Sequence, residues 1–340
     1  MQGSTVAYKS GWAWHGTGWQ AARRTKCCPP HQPENRRMMG KMTAPNPPKA
    51  TPQDWLAAAR PHTWPNAFAP VIVGTGAAVW QHGAHPGRAF LALLVAWALI
   101  IGVNFANDYS DGIRGTDRDR TGPTRITAQG LARPRDVKKA AFLAFGFAGL
   151  AGILLSLWSA WWLILVGALC ILAAWFYTGG KNPYGYRGLG EVAVFVFFGL
   201  VAVLGTEYTQ AHAISWVGLA GAVGIGAISA SVNLANNIRD IPSDRAAGKI
   251  TLAVRLGDQA ARMLFAVLTM LPFVMTLCLA LVCLPTLVGL LALPLALQGI
   301  RTVLRGAQGK ELIPVLGLNG RAMLVWAALT TAALFYGAVH

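Results

Sequence analysis

The chain has 340 residues, 54% of them hydrophobic and only 12% charged, with a mean hydropathy of +0.44. Soluble globular chains carry about 25% charged residues, so this composition excludes a pair of soluble domains and indicates a polytopic membrane protein. The formal net charge of +16 does not point to nucleic acid, because the basic residues sit in short segments between apolar runs rather than on one soluble surface.

In chain order, residues 1–54 show neither a 3.6- nor a 2-residue period, and no apolar core of a signal peptide follows Arg23-Arg24. They are expected to be either a disordered tail or an over-extended start, with Met42 as the true beginning. Residues 55–340 are expected to form one transmembrane domain. A hydrocarbon core of ~30 Å needs about 20 helical residues. Nine apolar stretches reach or approach that length, at about 64–82, 88–107, 139–157, 159–177, 189–207, 214–235, 259–282, 284–300 and 321–339. The expected fold is therefore all-α with nine transmembrane helices. Cys170, Cys278 and Cys283 lie inside apolar runs and read as packing residues, while Cys27-Cys28 has no second pair and no His spacing for zinc.

Of 29 Lys and Arg residues, 28 fall on one side of a nine-helix path, with Arg88 the exception. By the positive-inside rule that side is cytoplasmic, the protein lies in the cytoplasmic membrane, and the C-terminus is outside. Trp80, Trp158, Trp161, Trp162 and Trp216 then fall near the outer interface, where aromatic belts form.

Two segments 129 positions apart repeat each other. Val103-Asn104-Phe105-Ala106-Asn107-Asp108-Tyr109-Ser110-Asp111 matches Val232-Asn233-Leu234-Ala235-Asn236-Asn237-Ile238-Arg239-Asp240, and each runs on to another carboxylate, Asp117 or Asp244. Asn104, Asn107, Asp108 and Asp111 fall on one stripe of a helix, as do Asn233, Asn236, Asn237, Asp240 and Asp244. Such a duplication predicts two related halves with facing sites. A carboxylate costs about 3 kcal/mol at the centre of a membrane helix and less near the interface. Six of the thirteen acidic residues nevertheless lie in these blocks: Asp108, Asp111, Asp117, Asp119, Asp240 and Asp244. Hard oxygen ligands without His or Cys suit Mg²⁺, which bridges a few carboxylates to substrate phosphates. Arg114, Arg118, Arg120, Arg125, Arg239, Arg245, Lys249 and Arg255 surround them, and together these groups describe a metal-diphosphate clamp. The plainer alternative is surface ion pairing worth ~0–1 kcal/mol per pair. Duplication and the shared stripe favour the clamp.

A third polar segment, Tyr177 to Tyr186, ends the fourth apolar stretch on the same side. Its Lys181 is either a topology anchor or a ligand, and Tyr184 and Tyr186 read as interface anchors. Glu191, early in the next stretch, needs a partner there. Arg60 can serve as a topology anchor, and Asn66 within a span also needs a partner.

Four stretches carry a resemblance to a known family. They are Ala59-Arg60-Pro61 through Thr63-Trp64-Pro65-Asn66; Asn107-Asp108-Tyr109 with Asp111-Gly112, Asp117 and Gly122-Pro123; Tyr177 through Glu191; and Asn236-Asn237-Ile238-Arg239-Asp240 to Arg255-Leu256-Gly257. Over about residues 55–340 the chain resembles the UbiA superfamily of intramembrane prenyltransferases, and within it the branch that prenylates 1,4-dihydroxy-2-naphthoate in menaquinone synthesis. The resemblance implies a nine-helix bundle and Mg²⁺ held by Asp111 and Asp117 facing Asp240 and Asp244, with Asp108 beside them. It implies diphosphate binding by Lys181, with Asn107 and Asn236 supporting the metals or the diphosphate. Arg120, Arg125, Arg239, Arg245 and Lys249 from the surrounding cations are further diphosphate candidates, and Asp111, Asp240 and Lys181 are the candidate catalytic residues. Arg60, Asn66, Tyr177, Tyr184 and Glu191 are the candidates for the aromatic substrate. The six-residue step from Asp111 to Asp117 departs from the superfamily's four-residue spacing. The implied reaction ionises a polyprenyl diphosphate in a water-poor cavity, and the naphthoate ring attacks the carbocation with loss of CO₂, giving demethylmenaquinone. The implied partners are the polyprenyl diphosphate, the dihydroxynaphthoate and the lipid bilayer. The alternatives are prenylation of a 4-hydroxybenzoate- or homogentisate-type ring and, from a different class, transport of a divalent cation.

Overall fold

The computed structural model describes residues 50–116 and 125–340. Expectations for residues 1–49, Asp117, Asp119 and Arg120 lie outside the described residues. Helix α1 (Pro52–Ala58) opens with a capping box: the Thr51 hydroxyl accepts the Asp54 N–H at 3.2 Å, and the Asp54 carboxylate accepts the Thr51 N–H at 2.7 Å. It lies across the boundary drawn at residue 54, because seven residues are too few to show a period. A single turn at Pro61–Thr63 follows, entered through Arg60 at φ 50°.

The bundle proper comprises α2 (Pro65–Trp80), α3 (Pro86–Arg114), α4 (Pro134–Trp158), α5 (Leu163–Phe176), α6 (Gly190–Val194) and α7 (Gly205–Ala211), then α8 (Trp216–Ala246), the short α9 (Leu252–Leu256), α10 (Asp258–Ala280), α11 (Leu293–Leu304) and α12 (Ile313–Val339). A π-helical stretch, Phe195–Leu204, joins α6 and α7 into one run, Gly190–Ala211. Tight turns at Leu284–Ala292 and Gly309–Leu312 extend α11 and α12 at their starts. Each of the nine apolar stretches overlaps one of these helices or runs, and no strand occurs among the described residues. Among the described residues seven runs are long and apolar enough to cross a membrane, and α2 and α5, at 16 and 14 residues, are shorter.

The largest departures from the expected bounds are informative. Helices α3 and α8 continue beyond 107 and 235, carrying the Asn-Asp stripes inside the helix. Hydropathy stops at the first polar residues, but a stripe at three- and four-residue spacing is itself compatible with helix. Helix α12 begins eight residues before 321, with a proline in its first turn and Asn319 buried within it.

Helix α8 is the most enclosed and packs against α2, the π-helical stretch, α10 and α12. Its face is built from small residues, which let helix backbones approach closely where lipid supplies little hydrophobic drive. A close backbone crossing is at Gly199, where an added Cβ would meet the Ala222 carbonyl oxygen at 2.5 Å and the Gly226 Cα at 2.6 Å. At the end away from the Asn-Asp stripes, Arg88 donates to the carbonyls of Thr209 and Trp158 at 3.2 and 2.8 Å. The fully buried Glu207 there accepts from Gln81 at 2.6 Å and from the Ser215 hydroxyl at 2.5 Å. Trp158, Trp161, Trp162 and Trp216 are exposed nearby in the chain.

Because backbone rather than a flexible side chain blocks the space at Gly199, Gly199→Ala should destabilise the protein by ~1–3 kcal/mol. Gly146→Ala, where nothing lies within 4 Å, should be neutral or slightly stabilising. Thermal unfolding of both variants in detergent checks this contrast.

Candidate active site

Helices α3 and α8 carry the two stripes to the same end of the bundle, and the segment between α5 and α6 closes over both. The Thr178 hydroxyl donates to Asn107 Oδ1 at 2.8 Å, the Tyr177 hydroxyl to Asn233 Oδ1 at 3.4 Å, and the Tyr186 hydroxyl to Asp111 Oδ1 at 2.8 Å. Arg114, at the end of α3, donates to the carbonyls of Thr178 and Gly180 and so fastens the segment to α3.

Every described carboxylate in the two blocks is buried and held. Asp111 faces the Arg125 guanidinium through Oδ2 at 3.6 Å. Asp240 takes a forked pair of bonds from Arg239, Nε to Oδ1 at 2.7 Å and Nη2 to Oδ2 at 2.8 Å. Asp244 lies 3.5 Å from Lys249 Nζ. Asp108, fully buried, accepts the Ile126 N–H at 3.0 Å and the Thr127 N–H at 2.9 Å, one on each oxygen. Backbone thus engages both oxygens of a residue expected to ligate metal. Its stripe position gave no sign of that, since the partners are main-chain groups 18 and 19 residues away.

An apolar-walled cavity of about 430 Å³ begins beside these groups. Arg60, Asn66, Asn107, Tyr177, Asn233 and Asn236 line its polar end; it runs between α3, α4, α5 and the π-helical stretch as far as Ser156, Thr206 and Thr209. Tyr184 also lines it and donates to the Ala173 carbonyl at 2.8 Å. Burial pushes the Tyr184 hydroxyl up to about 12, so it stays a donor at neutral pH. Glu191 does not line the cavity. It lies behind Asn233 and Asn237, whose side-chain amides donate to its Oε1 at 3.2 and 2.5 Å. Lys181 and Arg245 are exposed.

Tyr186 is the residue that sequence reasoning passed over. Besides its bond to Asp111, its ring lies 5.3 Å from the Arg114 guanidinium and 5.3 Å from Lys249 Nζ. Its carbonyl accepts the Ile250 N–H at 3.1 Å. Burial first, and the Asp111 charge second, hold its hydroxyl above the usual range, so it too remains a donor. The sequence signal was limited to its place in the segment with Lys181.

All the described groups able to ligate a cation here are oxygens: Asp111, Asp240, Asp244, Asn107 and Asn236. Among the described residues no three Asp, Glu, His or Cys groups converge to hold an ion unaided. That donor set fits Mg²⁺, which takes one or two carboxylates and completes its shell with water and phosphate oxygens.

Paired polar stripes at one end of a helical membrane bundle, opening on an apolar cavity, define a class of multi-pass membrane proteins built from two related halves. The chain belongs to the UbiA prenyltransferase family, whose model matches residues 67–312. It is 59% identical over 283 residues to the 1,4-dihydroxy-2-naphthoate octaprenyltransferase of Mycobacterium tuberculosis, covering 83% of this chain and 97% of that protein. With the Escherichia coli protein of the same name it shares 39% identity over 293 residues, covering 83% and 95%. The fold matches the apo structure of a UbiA homologue from Aeropyrum pernix, with TM-score 0.59 and 16% identity, covering 78% of this chain and 96% of that one. It also matches a UbiA homologue from Archaeoglobus fulgidus bound to DMAPP and Mg²⁺, with TM-score 0.57 and 15% identity, covering 83% and 99%.

The Asp108 clamp yields a discriminating prediction. Asp108→Asn sets an amide against a backbone N–H and should cost ~1–3 kcal/mol of stability. Thermal unfolding should register that loss, while the Mg²⁺ concentration giving half-maximal turnover should stay near the wild-type value. A large rise in that concentration would instead mark Asp108 as a ligand.

Proposed function

We propose that this protein transfers a polyprenyl group from a polyprenyl diphosphate to 1,4-dihydroxy-2-naphthoate, with loss of diphosphate and CO₂, giving demethylmenaquinone. The observation that carries this reading is the convergence of both Asn-Asp stripes on one mouth of an apolar cavity. The names of its relatives support this choice of ring. In this reading the chain crosses the membrane nine times, with α2 and α5 as two short crossings, the stripes are cytoplasmic and the C-terminus is outside; the distribution of Lys and Arg supports this orientation.

In this reading Asp111 and Asp240, with Asp244, would hold Mg²⁺, which would neutralise the diphosphate and favour its departure; Asp117 is a further candidate ligand from the sequence alone. Arg125, Arg239, Arg245, Lys249 and Lys181 would add positive charge around the leaving group, Arg120 is a further candidate from the sequence alone, and Asn107 and Asn236 would present amides to it. The cavity wall excludes water while the allylic bond ionises. Arg60, at the cavity's polar end, faces the ring carboxylate, with Asn66, Tyr177 and Tyr184 along the same wall. Glu191 acts from behind, fixing the amides of Asn233 and Asn237. Asp108 holds the segment at Ile126 and Thr127. Membership in a prenyltransferase family sets the cation-transporter alternative aside.

Mass spectrometry of lipids from membranes given dihydroxynaphthoate, octaprenyl diphosphate and Mg²⁺ should show demethylmenaquinone; product formed only with 4-hydroxybenzoate would reassign the ring. Asp111→Asn and Asp240→Asn should each abolish turnover while folded protein remains in the membrane. Lys181→Ala removes a charge-assisted contact of ~1.5–3 kcal/mol, and should lower kcat/KM for the diphosphate about ten- to a hundred-fold. Lys181→Arg should recover only part of that. Kinetic silence of a correctly inserted Lys181→Ala would make it a topology anchor.

A further inference from the structure

We propose that Tyr186 sets the cation selectivity of the diphosphate site by holding one oxygen of Asp111 and so favouring metal ligation through the other. The proposal rests on reading this end of the bundle as a metal-diphosphate site. The Tyr186 hydroxyl donates to Asp111 Oδ1 at 2.8 Å, whereas Oδ2 lies 3.6 Å from the nearest Arg125 nitrogen, beyond hydrogen-bond length. One oxygen of the carboxylate is thus committed and the other is held in place by a charge without a hydrogen bond.

The phenol is not free to swing away. Arg114 and Lys249 both lie over its ring, and its backbone carbonyl is bonded to Ile250 beyond the second stripe. At the preceding residue, Gly185, a Cβ would meet the Tyr177 carbonyl oxygen at 2.7 Å, so the turn is also fixed from below. Arg114 belongs to the first half and Lys249 and Ile250 to the second. Tyr186 is therefore a strut between the halves whose tip orients a carboxylate of the first.

Cation chemistry gives that orientation a consequence. Mg²⁺ demands a near-ideal octahedron and uses carboxylates through one oxygen, whereas Ca²⁺ accepts six to eight ligands and readily takes both oxygens of one carboxylate. An Asp111 whose Oδ1 is occupied by a phenol suits the first ion and penalises the second. Tyr186 is a positioning residue in this scheme, since it acts through Asp111.

The test is equilibrium binding to the full chain in nanodiscs of geranyl thiodiphosphate, in which sulfur replaces the bridging oxygen to slow ionisation, measured with Mg²⁺ or Ca²⁺ alone. The wild type should bind the analogue more tightly with Mg²⁺. Tyr186→Phe keeps the ring between its cations and removes only the hydroxyl, and should shift the Mg²⁺/Ca²⁺ affinity ratio towards Ca²⁺ by about ten-fold or more, as expected for the loss of a hydrogen bond to a charged group. In an Asp111→Asn background, where the amide offers one oxygen in any case, the same Tyr186→Phe change should leave the ratio unaltered. Thermal unfolding verifies that each variant is folded. An unchanged ratio in Tyr186→Phe, or an equal shift in the Asp111→Asn background, overturns the proposal while the metal-diphosphate reading stands. A wild type that binds the analogue with neither ion overturns both.

Discussion

A carboxylate taken out of water must be met by donors or cations, and that requirement organises the functional end of this bundle. Several buried carboxylates lie within two helices there, in a setting where an unpaired charge costs several kcal/mol. Each described one is met differently: Asp108 by two backbone N–H groups, Asp111 by a phenol and a guanidinium, Asp240 by the forked Arg239, Asp244 by Lys249. Loops are consequently drawn onto helices, and the site's walls are the same groups that make its charges tolerable. Structural necessity and the proposed chemistry would coincide, since the side chains that compensate these charges are the ones assigned to the diphosphate.

The two halves show how a duplicated pattern diverges while its geometry persists. Asp108 and Asn237 occupy equivalent positions in the repeat. The first is an acceptor and grips backbone donors of the following segment, and the second is a donor and grips the Glu191 carboxylate. Asn104 and Asn233 are likewise equivalent. Asn104 donates to the Ala59 carbonyl and the Thr63 hydroxyl, whereas Asn233 donates to Glu191. In each half, polarity at these positions is matched to whichever segment happens to lie behind the helix. The remaining members, Asn107 with Asn236 and Asp111 with Asp240, keep the same residue types.

Apolar stretches, the repeat and the side on which the polar groups gather were legible in the sequence because each depends on composition or period. Less legible was anything that depends on distant main chain. Hydropathy ended α3 at 107 although the helix carries the whole stripe to Arg114, and the short α1 left no periodic trace. The partners of Asp108 are backbone groups, invisible in residue identity. Glu191 read as a candidate substrate contact because a carboxylate early in a span needs a partner, yet the amides of Asn233 and Asn237 supply that partner and Glu191 does not line the cavity. Tyr186 resembled an interfacial aromatic, since nothing local announces that its hydroxyl reaches back 75 residues to Asp111.

The hydrogen bonds of Arg88 bear on how the cavity ends. The cavity extends from the charged mouth to Ser156, Thr206 and Thr209, and Arg88 donates to the carbonyls of Thr209, Gln210 and Trp158 beside that far end. A fixed cation opposes the approach of protons and metal ions, so the same side chain that ties backbone together at this end also discourages ion entry there.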